Sequence, residues 1–171
     1  MDSYLKSAHD EIEQAVAGVS RDQMIRTDGR HWSIAQICEH LTLAFTLNGA
    51  AMEKALASGQ LKARPPSRWQ RLMRVMVVDF GYFPRVKSPE MTAPTGTIPA
   101  ERSVAAIGEA LVSLDRSLSR VVERFGDDVM VANHPFFAGM TVRQWRKFHW
   151  RHTRHHMKQV RTRRREDAPV R

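Results

Sequence analysis

Residues 101–125 read ERSVAAIGEALVSLDRSLSRVVERF, and this stretch decides the fold class. Its larger apolar residues are Val104, Ile107, Leu111, Leu114, Leu118, Val121, Val122 and Phe125. Spacings of three and four gather them on one stripe of an amphipathic helix, the side such a helix must bury. Ile98-Pro99 suits the start of that helix, and Gly126 falls where a left-handed C-cap would end it. A helix of this length with one apolar stripe needs partners of similar length.

The flanking sequence supplies them. Residues 33–57 form a second long helix, opened by the capping-box pair Ser33 and Gln36 and closed near Gly59. Ile34, Ile37, Cys38, Leu41, Phe45, Met52 and Leu56 give it apolar surface. Residues 2–18 form a third through Leu5, Ala8, Ile12, Ala15 and Val16, with Val19 just beyond. The fourth runs over 142–163, with Thr141 and Gln144 at capping-box spacing and Met140 and Trp145 placed as a hydrophobic staple. A shorter helix follows Pro65-Pro66, from Ser67 to Asp79. Residues 81–100, punctuated by Gly81, Pro84, Pro89, Pro94, Gly96 and Pro99, read as a long irregular connection of the kind that often covers a site. No alternating strand pattern stands out. The expectation is an all-α four-helix bundle with a short extra helix and a long loop insertion, one domain over 1–165 and a flexible tail over 166–171.

Composition narrows the function classes. The chain has 171 residues, the length of one ordinary domain. Cys38 is its single cysteine, which excludes an intramolecular disulfide and a cysteine-based zinc knuckle. No apolar run approaches the roughly 18 residues of a membrane span, and the N-terminus lacks a basic region followed by an apolar one. A cytoplasmic protein with no membrane partner is expected. No glycine-rich phosphate loop, nucleophile elbow or Cys-x-x-Cys occurs.

The formal net charge of +9 suggests, taken whole, an anionic partner such as nucleic acid. Its distribution says otherwise. Eleven of the 27 Lys and Arg lie in residues 143–171, beside only two acids. The remaining 142 residues are balanced.

Four of the eight histidines stand within FHWRHTRHH, residues 148–156. At about 100° per residue from Trp145, His152 falls near −20°, His156 near +20° and His149 near +40°, while His155 lies on the flank near −80°. Arg143, Lys147, Arg154, Lys158, Arg161 and Arg165 cluster within about 40° of the opposite pole. The helix therefore has a histidine and aromatic face, which a bundle buries, and a basic face. His152 and His156, four apart, stack on one side and can share a divalent metal. A third ligand must come from elsewhere, and His40 on the second helix is the best candidate. Three neutral imidazoles with an open fourth position make a catalytic rather than a structural type of site. From spacing alone, a hydrogen-bonded core histidine or a solvated basic face explains the same residues as well as a metal site does. His149 is an alternative or supporting ligand. His134, in Asn133-His134-Pro135-Phe136-Phe137, suits a loop ligand or a turn residue equally well.

Three segments also resemble a known family. Trp32-Ser33-Ile34-Ala35-Gln36-Ile37-Cys38-Glu39-His40-Leu41 resembles the second-helix signature of the DinB-like superfamily. His152-Thr153-Arg154-His155-His156-Met157-Lys158-Gln159-Val160 resembles its last-helix signature, and His134-Pro135-Phe136-Phe137-Ala138-Gly139-Met140-Thr141 followed by Trp145 looks like one branch of it. The resemblance implies a four-helix bundle holding a divalent metal through three histidines, which map to His40, His152 and His156. Other members include thiol-cofactor S-transferases, a maleylpyruvate isomerase and metal-dependent hydrolases, and dimers are frequent. The 81–100 insertion and the doubled His155-His156 depart from the pattern.

The function expected is a metal-dependent enzyme of hydrolase or thiol S-transferase type on a small molecule, with zinc or nickel as the metal and a homodimer as the assembly. The open position would bind a water or thiol and lower its pKa. Glu39 points about 100° from His40, toward a supporting or surface role. Gln159 lies on the histidine face and can orient a ligand. Two rivals remain. One is a bundle that a metal only stabilises. The other is an anion or nucleic-acid module using Arg161, Arg163, Arg164 and Arg165, with Trp150 exposed among them to stack on a base.

Overall fold

The computed structural model describes residues 1–84 and 87–166. Among the described residues six α-helices are present: α1 (Ser3–Val16), α2 (Arg21–Ile25), α3 (Ile34–Ser58), α4 (Arg68–Arg74), α5 (Ala100–Phe125) and α6 (Val142–Glu166). A hairpin of β1 (Met130–His134) and β2 (Ala138–Thr141) precedes α6. The expected tail over 166–171 lies outside the described residues beyond the backbone of Glu166.

The four long helices form the bundle. α3 packs chiefly on α5 and α1 on α6, while α3 meets α6 and α1 meets α5 to close the ring. The stripe read from α5 is the reason it faces inward: Ile107, Leu111, Leu114, Leu118 and Val121 are all buried. Val104, at the N-terminal end of that stripe, is exposed instead. Leu5, Ala8, Ile12 and Ala15 of α1 meet the same core, as do Ile37, Leu41, Phe45 and Met52 of α3.

Local chemistry sets the helix ends. Ser33 Oγ accepts from Gln36 N at 3.2 Å and Gln36 Oε1 accepts from Ser33 N at 2.9 Å, the reciprocal pair of a capping box. Thr141 and Gln144 repeat it at the start of α6. Gly59 ends α3 in the left-handed conformation, φ +65°.

Three features depart from the sequence expectation. The short helix stops at Arg74 and passes into a π-type turn over Val75–Asp79, where Phe80 N donates to Val75 O at 3.2 Å. The small α2 is additional, with its own capping box at Ser20 and Gln23. The hairpin is the third. Its strands are too short for an alternating pattern, and it is held by contacts distant in sequence. Asn133 Oδ1 accepts from Arg64 N at 2.7 Å, Asn133 Nδ2 donates to Lys62 O at 3.0 Å, and Gly139 N donates to Arg64 O at 2.9 Å. A Cβ on Gly139 would lie 2.8 Å from the Arg64 carbonyl oxygen, so the backbone approach needs glycine there.

Candidate metal centre

α3 and α6 cross so that His40 faces His152 and His156. One ring nitrogen of each lies within 4.8 Å of the others. His152 Nε2 is 3.3 Å from His40 Nε2 and 3.0 Å from His156 Nε2. His40 and His156 are 5% and 7% exposed. Trp32 covers one side, its ring 5.0 Å from that of His40 and 6.4 Å from that of His156. Phe83, from the long connection, covers the other, 5.8 Å from His152.

The outer nitrogens decide the tautomers. His40 Nδ1 lies 2.7 Å from the Thr92 carbonyl oxygen, an acceptor only, so Nδ1 donates and Nε2 carries a bare lone pair. His156 Nδ1 lies 2.8 Å from Gln159 Oε1, and the Gln159 amide donates to His155 Nε2 at 3.3 Å. His156 Nε2 is therefore also bare. His152 Nδ1 is buried with no partner among the described residues. A neutral His152 has one proton to offer at most, so its Nε2 can satisfy only one of the two lone pairs that face it, and the other is left without a donor.

Protonation does not supply the missing donor. Burial, then the neighbouring imidazoles, pushes His152 well below the ordinary histidine range. Burial takes His156 down to about 3, with His40 adding to it and the Gln159 bond opposing. Burial lowers His40 too, against the opposing Thr92 bond. All three are neutral at pH 7, the state in which imidazole binds a metal. Two nitrogens at about 2.0–2.1 Å from a tetrahedral cation stand roughly 3.3–3.4 Å apart, close to the separations found. The donor set thus fits a divalent cation.

The connection over 81–100 does cover the site. Glu39 is 1% exposed and turns toward this loop. Its carboxylate accepts from Gly96 N at 2.9 Å, from Thr97 N and Oγ1 at 3.0 and 2.9 Å, and from Thr95 N and Oγ1 at 3.3 and 3.1 Å. Burial alone would raise the pKa of Glu39, but these bonds outweigh it and hold the carboxyl below the usual carboxylate range. The clasp fixes the loop that presents the Thr92 carbonyl to His40. The roles of Thr92, Phe83 and the Glu39 clasp escaped the sequence reading, whose one hint was the length of the connection.

The other histidines separate from the triad. His149 is fully buried beside Phe45, Trp145 and Phe148, and neither ring nitrogen has a partner among the described residues. His134 takes the turn role: Nδ1 accepts from Phe136 N at 3.2 Å, and the ring stacks on Phe137 at 4.3 Å. His155 flanks the triad against Phe83 at 4.8 Å. Cys38 is buried, which pushes its thiol up to about 12 and removes it as a nucleophile at neutral pH.

The basic face differs from the expectation in one respect. Trp150 is half-buried, its ring 5.7 Å from Tyr4 and under Arg151 at 4.4 Å, because α1 packs along that flank of α6. Arg161 reaches Glu11 at 2.7 Å and Arg164 the Ala15 carbonyl at 2.9 Å. Arg143, Arg154, Lys158 and Arg165 remain exposed.

Against known proteins, the chain matches the family described as Protein of unknown function (DUF1569) over residues 5–163 and belongs to it. No curated protein and no solved structure matches the chain.

Proposed function

We propose that this member of the DUF1569 family is a metalloprotein in which His40, His152 and His156 hold one divalent cation, zinc or nickel, and that the cation serves an enzyme of hydrolase or thiol S-transferase type. The observation that carries the reading is the convergence of three buried imidazoles, in which the bare Nε2 atoms of His40 and His156 lie 3.3 and 3.0 Å from His152 Nε2 and have at most one proton between them, a shortage that a cation removes. The resemblance of the Trp32–Leu41 and His152–Val160 segments to the DinB-like superfamily points the same way.

A divalent cation on three imidazoles with a position left open supplies Lewis acidity toward a water or a thiol. The chain's own residues do the rest. The Thr92 carbonyl and the Gln159 amide hold the outer nitrogens of His40 and His156, fixing tautomer and ring angle. Trp32 and Phe83 shield two sides of the cluster from water. Glu39 serves the loop rather than the reaction, since its carboxylate is engaged by the Thr95–Thr97 clasp.

The test is metal content by plasma emission of the purified protein and of His40→Ala, His152→Ala and His156→Ala. One divalent equivalent in the wild type and its loss in each variant supports the reading. Wild-type metal levels in all three sink it. Thermal melting with and without chelator, beside a screen for turnover of esters, amides and thiol adducts, separates an enzyme from a bundle that the metal only stabilises.

A further inference from the structure

Outside the histidine site, the molecule's most unusual surface lies on α4 and the turn after it. Residues 54–78 carry Lys54, Lys62, Arg64, Arg68, Arg71 and Arg74 and not one acid. The same segment and its continuation expose large apolar side chains: Trp69 is 65% exposed, Leu72 52%, Phe80 73% and Tyr82 58%. Among the described residues no carboxylate pairs with Arg64, Arg68 or Arg71.

The patch is presented by a fixed support. Val77 and Val78, on the inner side of the π-type turn, are 3% and 2% exposed. Arg74 Nη1 donates to the Gly139 carbonyl at 3.1 Å, Lys147 pairs with Asp79 at 2.5 Å, and Arg151 Nη2 donates to the Asp79 carbonyl at 2.8 Å. The π-type turn breaks the helical register after Arg74, and Phe80 follows it on the outside.

Chemistry selects the occupant. A second copy docked face to face would set these cations against themselves, because a two-fold interface pairs the same patch with itself. A nucleic acid would satisfy the arginines and stack on Trp69, but it would leave the aliphatic Leu72 and Val75, 52% and 39% exposed, without a partner. The high exposure of Trp69 and Phe80 means that they protrude rather than line a groove, which suits a partner without a shaped pocket. Aromatic and aliphatic side chains interspersed with arginines are what the boundary between anionic headgroups and acyl chains accommodates. We infer that the α4 segment docks this protein on an anionic lipid surface. The expectation of no membrane partner rested on the lack of a spanning segment, and among the described residues no helix is long and apolar enough to cross a membrane. A segment lying on the surface needs no such length. Phe83, one residue beyond the exposed Tyr82, contacts His152 and His155.

The test is co-sedimentation of the full chain with phosphatidylcholine vesicles and with vesicles that also contain phosphatidylglycerol. Binding only to the second is expected. Trp69→Ser with Phe80→Ser, and separately Arg68→Glu with Arg71→Glu, should each weaken it about tenfold or more, with unchanged helical circular dichroism. Arg116→Glu, an exposed charge on α5, serves as the control and should weaken it by much less. The inference is overturned by absence of vesicle binding or by an equal loss in the α5 control. It is also overturned if Trp69→Ser with Phe80→Ser binds normally, which would leave only attraction by net charge. Binding of single-stranded DNA through the same residues while vesicles are ignored would overturn it in favour of nucleic acid.

Discussion

On one side of α6, Lys147 meets Asp79, Arg161 meets Glu11 and Arg164 meets the Ala15 carbonyl. On the other side, His152 Nδ1 and both ring nitrogens of His149 are buried and meet nothing among the described residues. The fold treats the two faces in opposite ways. Long cationic side chains at a surface reach partners or water at little cost, so their sequence position says little about function. Imidazoles packed in a core have short reach and lose their water, so a set of them left facing one another calls for a cation. Between a run of arginines and a quartet of histidines, the buried set carries the information.

The largest expected effect would break this comparison if it failed. Each of His40→Ala, His152→Ala and His156→Ala should lower metal affinity on the order of several hundred-fold, one ligand's share of the roughly 10–16 kcal/mol that a four-ligand zinc site contributes. Competition titration with a chromogenic chelator reads it, and an equal affinity in any of the three removes that residue from the set.

Gln159→Leu sharpens the histidine side. It leaves His156 in place but takes away the acceptor of its Nδ1 proton, and about 10–100-fold in metal affinity should be lost. An unchanged affinity means that the Gln159 bond does not orient the ligand.

Glu39→Gln tests the loop that holds His40. Loss of charge at this buried acceptor should cost about 1–3 kcal/mol in urea unfolding at pH 7. The folded pKa of Glu39 lies below its unfolded value. Its contribution is therefore complete above the unfolded pKa, roughly 4.3, and fades as pH falls through the folded pKa. The stability gap between wild type and variant should close on acidification. A gap that stays constant to low pH would contradict the ionised clasp.

The smallest effect belongs to the basic face. Arg161→Ala breaks a partly exposed pair with Glu11 and should change stability by no more than about 1 kcal/mol, less in high salt. A loss of several kcal/mol would show that the two faces of α6 are less different than their contacts indicate.

Much of this architecture is legible in periodicity. The α5 stripe, the α3 capping box and the Thr141–Gln144 start of α6 each declare themselves within a few residues, because helix hydrogen bonds and caps are local. Strand pairing is not local, and the hairpin depends on Asn133 and Gly139 reaching Lys62 and Arg64. The site divides in the same way. The His152/His156 pair and the Gln159 contact follow from helical spacing, whereas the Thr92 carbonyl and the Glu39 clasp join segments that only the folded loop brings together. Trp150 is half-buried rather than exposed because a helical wheel shows which face a side chain occupies, not that Tyr4 of α1 packs against it.

By itself, the sequence determined that this chain would be helical, that its excess charge would lie on one face and the tail of its last helix, and that two histidines would stack a turn apart. Those properties depend on neighbours within one or two helical turns. His40 was named from sequence only as the best candidate, and the tertiary structure decided that it would meet the other two, that its tautomer would be set by a carbonyl in a distant loop, and that Trp69 and Phe80 would be exposed. Each of these depends on how helices cross and where a connection returns, and packing of the whole core sets both.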